Sequence, residues 1–193
     1  HFLFNTLNAI CAQIIRSPRT ARETVIRLAE FCRLTLHRPH ENEDPTVAQE
    51  VAMLRAYLEI EQTRMGDLLH YEIKSDPDLN SLSLPPFLLL PLIENAVKHG
   101  AATSEDSLRI RVSIARELDG AVLIEVANTG LWTTPEEPPT SVPSLGIGLE
   151  NLRQRLIRYF PQRHELTQNT EPGWVIMRLR LTTPDVSLSS ALN

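Results

Sequence analysis

Apolar residues recur at helical spacing from the start of the chain. Leu3, Leu7, Ile10 and Ile14 form one stripe, and His1, Asn5 and Asn8 form another. Ser17-Pro18 predicts a second helix, with the serine as N-cap and the proline in the first helical position. That helix would carry Val25, Leu28, Ala29, Cys32 and Leu36 inward. A polar loop follows from Arg38 to Pro45. Thr46 and Gln49 then fit a capping box, opening a third helix that runs to about Met65. Helices this close in sequence pack side by side as a bundle.

From Leu69 onward the period changes. Alternation predicts strands at Leu69–Lys74, Leu108–Arg116, Ala121–Ala127 and Trp174–Leu181, most clearly in Leu108, Ile110, Val112 and Ile114. Helices are predicted at Phe87–His99 and Leu149–Tyr159. Pro91 must kink the first of these or sit near its first turn. Residues 131–145 hold four prolines and little periodicity, a loop too long for a plain connector. The last residues, Asp185 to Asn193, read as a frayed tail.

Composition adds boundaries to this picture. The 193 residues allow one large domain or two small ones, and 42% hydrophobic residues suffice for a packed core. No apolar run reaches the roughly 18–20 residues of a membrane span. The nearest, Leu84 to Val97, is interrupted by Pro85, Pro86, Pro91 and Glu94. A net charge of −5 argues against direct nucleic-acid binding, which requires a basic surface. Cys11 and Cys32 fall on helical segments and read as reduced core thiols. The chain starts at His without an initiator Met, which reads as a fragment, so a targeting or membrane-spanning segment upstream would be invisible rather than absent.

Three segments carry chemistry. In Leu90 to Gly100 an apolar run ends in Glu94, Asn95, Lys98 and His99 within two helical turns. Asn95 offers a neutral carbonyl oxygen suited to Mg²⁺, which takes few protein ligands and keeps its waters. Lys98, three residues on, is a mobile cation able to meet phosphate. In Leu145 to Leu156, Gly146 and Gly148 precede Leu149, Leu152 and Leu156 at helical spacing. The glycines therefore sit at a helix start, where free N–H groups favour an anion. In Val126 to Gly130, Asn128 and a flexible glycine close an alternating strand, which alone reads as a turn.

Together and in this order, these segments resemble the N, G1 and G2 boxes of the GHKL (Bergerat-fold) ATP-binding proteins. The opening His1-Phe-Leu-Phe-Asn-Thr-Leu-Asn8 resembles the phosphoacceptor box of the LytS-like sensor histidine kinases, and Tyr57 to Arg64 is similar to that family's second helix. The resemblance covers roughly residues 1 to 182.

It implies an α+β fold: a helical hairpin for dimerisation and phosphoacceptance, then a Bergerat-type α/β sandwich with a mixed sheet and helices on one face. The divisions would be residues 1–67, 68–184 and a tail from 185–193. The implied activity is that of a protein-histidine kinase in a bacterial two-component system, ATP-dependent and using Mg²⁺. His1 would be the phosphorylated nucleophile, mostly neutral at pH 7. Asn5, one turn on, would reach whatever the ring carries. Where the wider class places an acidic residue after the histidine this chain has Phe2, which leaves Glu94 as a substitute base. Asn95 would hold Mg²⁺, with Lys98 or His99 near the phosphates and Gly146, Gly148, Leu149 and Asn151 around them. Asn128, beside Gly130, stands where Bergerat pockets carry an aspartate for the adenine amino group; it accepts through its carbonyl oxygen but donates where a carboxylate would accept. Arg153 and Arg155, two apart on one helix, point in different directions, so at least one faces solvent. Residues 131–145 would be the ATP lid. The implied partners are a second copy through the helical region and a response regulator, often of LytTR type, and the implied place is the cytoplasmic part of a membrane-anchored protein. Phe2 and Asn128 keep open an ATP-binding pseudokinase, a regulatory scaffold or a phosphatase-only module.

Overall fold

The computed structural model describes residues 2–36, 44–131 and 147–182. Three helices come first, α1 (Phe2–Arg16), α2 (Pro18–Leu36) and α3 (Val47–Met65). The remaining elements are β1 (Leu69–Ser75), α4 (Leu90–Thr103), β2 (Leu108–Arg116), β3 (Val122–Thr129), α5 (Ile147–Tyr159), β4 (His164–Glu171) and β5 (Trp174–Leu181). His1, Gly146, the proline-rich stretch from 132 and the tail lie outside the described residues.

Local chemistry accounts for most boundaries. Thr46 and Gln49 form the expected capping box at the head of α3, each side chain bonded to the other residue's backbone N–H. Pro91 sits in the first turn of α4, where its missing N–H costs nothing. The α4 helix starts three residues later than expected and runs on to Thr103.

The strands form one five-stranded mixed sheet in the order β1-β2-β3-β5-β4. Among the described strands only β1 and β2 pair in parallel. The strand β4, HELTQNTE, was not expected from the sequence: it is an edge strand with almost no buried position, so no apolar alternation announces it. Along β2, Leu108, Ile110, Val112 and Ile114 face α4, while Arg109 and Arg111 face solvent. The open face is laced with ion pairs, Arg178 to Glu125 and Arg180 to Glu117, and Arg111 stacks on Trp174.

The facing of the first two helices departs from expectation. The helix α1 turns Phe2, Thr6 and Ile10 inward and leaves Leu3, Leu7 and Ile14 at 46%, 49% and 53% exposure. In α2, Ala21, Thr24 and Phe31 are buried, whereas Val25, Ala29 and Leu36 are exposed and Leu28 and Cys32 are half-buried. Two small polar residues take core places because their hydroxyls are satisfied locally: Thr6 donates to the Phe2 carbonyl at 2.9 Å and Thr24 to the Thr20 carbonyl at 2.8 Å. The helices were correctly expected, but each carries two candidate apolar stripes and periodicity cannot choose between them. Both cysteines are free thiols, and Cys11 is exposed instead of in the core.

The core is continuous across the division expected at residue 67. It runs from Phe31 through Leu54, Leu58 and Ile60 of α3 to Leu92 and Ile93 of α4, Leu152 and Leu156 of α5, and the inner face of the sheet. Each such fully buried Leu or Ile contributes about 1.5–3 kcal/mol. The helix α3 is thus shared by the hairpin and the sandwich.

Candidate functional site

The helix α4 organises the candidate site. Leu92, Ile93, Ala96, Val97 and Gly100 form its buried side, against β2 and β3 and beside α5. The opposite side carries Glu94 and Lys98, exposed, with Asn95 and His99 half-buried at its margins. This is the expected apolar-to-polar helix, and its period brings Glu94, Asn95 and Lys98 onto one surface.

Beneath the last turn of α4 lies Asn128, which is 3% exposed on the inner side of β3. Its Nδ2 donates to the Thr129 carbonyl at 2.8 Å, which leaves Oδ1 as the acceptor of that side chain. Gly100 makes room for it, since a Cβ there would come within 3.0 Å of Asn128 Nδ2 and 2.3 Å of Leu108 Cδ1. Gly130 has φ +120, and a Cβ on it would meet Thr103 Oγ1 at 2.2 Å. Packing against the end of α4 therefore explains Gly130. Gly148 differs: it is exposed at the first turn of α5, with open space where a Cβ would point. Leu149 packs on the core, while Asn151 is exposed.

The two arginines of α5 separate as their spacing requires. Arg153 is exposed, 3.9 Å from Glu150, whereas Arg155 turns back and donates from Nη1 to the Phe87 carbonyl at 2.6 Å.

Electrostatics tie α4 to the helical region. Desolvation holds the Glu94 carboxyl above the usual carboxylate range, and Glu61 adds to the rise. Tyr57 is pushed up by burial, then by Glu61 and Glu94. Glu61 is itself buried and ion-paired with Arg64, whose Nε donates to Oε2 at 2.9 Å. Phe2 packs on Tyr57 with tilted rings, centroids 4.7 Å apart, and edge-on against Phe31 at 5.1 Å. The segment that follows His1 in sequence is thus anchored on the α3 residue that senses Glu94. Asn5 lies on the exposed side of α1. His99 is held below the usual imidazole range by desolvation, then by Lys98.

Sequence reasoning missed Glu50. It is 2% exposed on α3, and its carboxylate accepts from the N–H groups of Phe87 at 2.8 Å and Leu89 at 3.1 Å, at the start of α4. A glutamate in the first turn of a helix reads as an ordinary response to the helix dipole, so nothing in the sequence marked it.

A helical hairpin joined to a mixed sheet with helices on one face is the architecture of histidine kinase catalytic regions. The fold is similar to that of histidine kinase AdeS of Acinetobacter baumannii, with TM-score 0.54 at 11% identity over 89% of this chain and 82% of that one. It is likewise similar to the kinase domain of the blue-light-activated histidine kinase of Erythrobacter litoralis EL346, with TM-score 0.53 at 14% identity over 94% and 87%. A third similar structure, full-length ShkA in complex with AMPPNP, has TM-score 0.52 at 15% identity over 82% of this chain and 35% of that one.

Residues 1–69 match the family model for histidine kinases. The chain is 38% identical over 155 residues to the sensor histidine kinase BtsS of Escherichia coli K12, covering 80% of this chain and 27% of BtsS. It is 31% identical over 178 residues to the sensor protein LytS of Bacillus subtilis 168, covering 89% and 30%. This chain belongs with the LytS-like sensor histidine kinases. It spans between 27% and 32% of the length of the curated relatives it matches.

Proposed function

We propose that this region phosphorylates itself on His1 at the expense of ATP and passes the phosphoryl group to an aspartate of a response regulator. The observation that carries the reading is that Phe2, the residue after His1, packs on Tyr57, and that Tyr57 in turn lies in the field of Glu61 and of Glu94 on α4.

The donor set fits Mg²⁺ and a nucleotide. Asn95 supplies a neutral oxygen on the open side of α4, beside the cation of Lys98, and the uncrowded helix start at Gly148 presents N–H groups suited to phosphate. Mg²⁺ there would neutralise charge on the phosphate oxygens. Asn128 would accept from the adenine amino group through Oδ1. One ring nitrogen of His1 attacks the γ-phosphorus, the bond to the bridging β–γ oxygen breaks, and ADP leaves. Glu94 takes the proton from the other ring nitrogen; partial desolvation makes its carboxylate a better base than a fully solvated one. ATP as substrate puts this region in the cytoplasm.

The exposed apolar residues of α1 and α2 suit a second copy packed against the hairpin. A response regulator, of LytTR type, is the partner this reading expects.

The test is labelling with γ-labelled ATP in the full-length protein, scored for acid-labile, alkali-stable phosphate. Labelling that His1→Gln abolishes supports the kinase. A protein that binds ATP and dimerises without ever labelling at His1 is the nucleotide-binding scaffold instead.

A further inference from the structure

The backbone of Phe87 joins three elements. Its N–H donates to Glu50 on α3 at 2.8 Å, and its carbonyl accepts from Arg155 on α5 at 2.6 Å. Two residues on, the Leu89 N–H donates to the other Glu50 oxygen at 3.1 Å. Phe87 holds φ +55, a left-handed conformation that a bulky residue adopts only where its surroundings impose it. Leu89 occupies the N-cap position of α4 and supplies no side-chain cap. The carboxylate of a residue 39 positions upstream does that work.

The same end of α3 holds the chain leading into α4. The N–H of Val47 donates to the Leu82 carbonyl at 2.8 Å, that of Ala48 to the Asn80 carbonyl at 3.2 Å, and that of Leu84 to the Pro45 carbonyl at 2.8 Å. These bonds run to backbone atoms, so they fix where α4 lies along its own axis as well as which way it faces. Glu94 and Asn95 follow within two turns of that start. A carboxylate buried with no ion pair among the described residues is an expensive way to pin a helix, whereas an apolar contact would stabilise packing without fixing register.

We propose that Glu50 and Arg155 are positioning residues that set the N-box helix against the phosphoacceptor hairpin on one side and the glycine-box helix on the other, through the backbone of Phe87. Phosphoryl transfer depends on placing the nucleophile in line with the phosphorus, so a small axial slip of α4 costs rate before it costs nucleotide affinity. The proposal rests on the kinase reading for its rate effect and on geometry alone for the coupling.

The test uses Glu50→Gln, Arg155→Ala and Arg155→Lys in the full-length protein. Glu50→Gln keeps one acceptor oxygen and the side-chain volume; lysine can still reach the Phe87 carbonyl with a single donor. The expected result is a fall of about tenfold or more in the first-order labelling rate of saturated enzyme for Glu50→Gln and Arg155→Ala, with nucleotide affinity within about threefold of wild type. Arg155→Lys should recover part of the rate. The double variant should be slowed by less than the product of the single effects, since both act through the backbone of one residue.

Amide exchange supplies a readout independent of labelling. Glu50→Gln should loosen the start of α5, and Arg155→Ala the first turns of α3, as well as residues 87–95 in both. Wild-type labelling at His1 together with variant rates and exchange like wild type overturns the proposal. If wild type never labels but the exchange effects cross between α3 and α5, the kinase reading falls and the coupling stands.

Discussion

Gly100 sits directly over Asn128: a single added carbon on the helix would lie 3.0 Å from the asparagine Nδ2 and 3.1 Å from the Thr129 carbonyl to which that nitrogen donates. The last turn of α4 and the end of β3 are fitted to each other through a missing side chain. Gly100→Ala must therefore move Leu108, Asn128 or the helix itself. The expected loss is about 1–3 kcal/mol, the scale of an overpacked core, read as a lower urea midpoint with unchanged slope. Nucleotide affinity should fall with it, because the same shift displaces Asn128.

Asn128→Asp tests what the asparagine does in the free protein. The substitution removes the donor to Thr129 and turns a carboxylate toward its carbonyl in a buried place. The variant should lose about 1–3 kcal/mol at neutral pH. Protonating the new carboxyl restores a donor, so the deficit should shrink at acid pH, in urea titrations at pH 8 and pH 4.5. A deficit independent of pH would mean that the lost bond, not the charge, is the cost.

His99 makes stability depend on pH with a definite sign. Its folded pKa lies below the ordinary imidazole value of 6.5 because of desolvation and then Lys98, so the unfolded chain binds more protons in that window. The stability it contributes is present above pH 6.5 and lost as pH falls through the folded value. His99→Gln should show a flatter loss of stability on acidification from pH 7 to pH 5 than wild type, followed by thermal or urea midpoints.

The proposed role of Glu94 as base predicts a pH signature for the reaction. Its carboxyl titrates above the usual range, chiefly through desolvation, so the basic form accumulates later on raising pH than for a surface glutamate. The labelling rate at saturating ATP should climb through that window. Glu94→Gln should be slower by about 10²-fold or more, with that limb of the profile gone. Wild-type rates in this variant would remove Glu94 from the mechanism.

The exposed apolar stripe of α1 predicts an association state. Leu7→Glu with Ile14→Glu places two charges where apolar side chains stand about half exposed. Light scattering should report a dimer for wild type and a monomer for the double variant, with ATP affinity within about twofold, since Leu7 and Ile14 lie on the exposed side of α1, away from the Phe2 face that packs on Tyr57. A dimer that survives both charges would put the interface elsewhere.

The sequence by itself determined what local rules reach. The Thr46–Gln49 box, Pro91 in a first turn, the alternation of Leu108 to Ile114 and the polar cluster after Ile93 are all short-range signals, and the elements they predict are present. It also determined which residues could carry chemistry on α4, since Glu94, Asn95 and Lys98 share a surface by helical period alone. Tertiary structure decided the rest. Which stripe of α1 faces inward depends on α2 and α3, and the choice of Phe2, Thr6 and Ile10 over Leu3 and Leu7 has no local cause. The edge strand β4 exists because β5 offers it a ladder, since its own residues carry no buried pattern. Glu50 became a cap for α4 only when folding brought α3 beside Leu89, across 39 residues of chain. Hydrogen bonds to backbone N–H groups leave no signature in the identity of the residue that donates, so no reading of side chains could have found that contact.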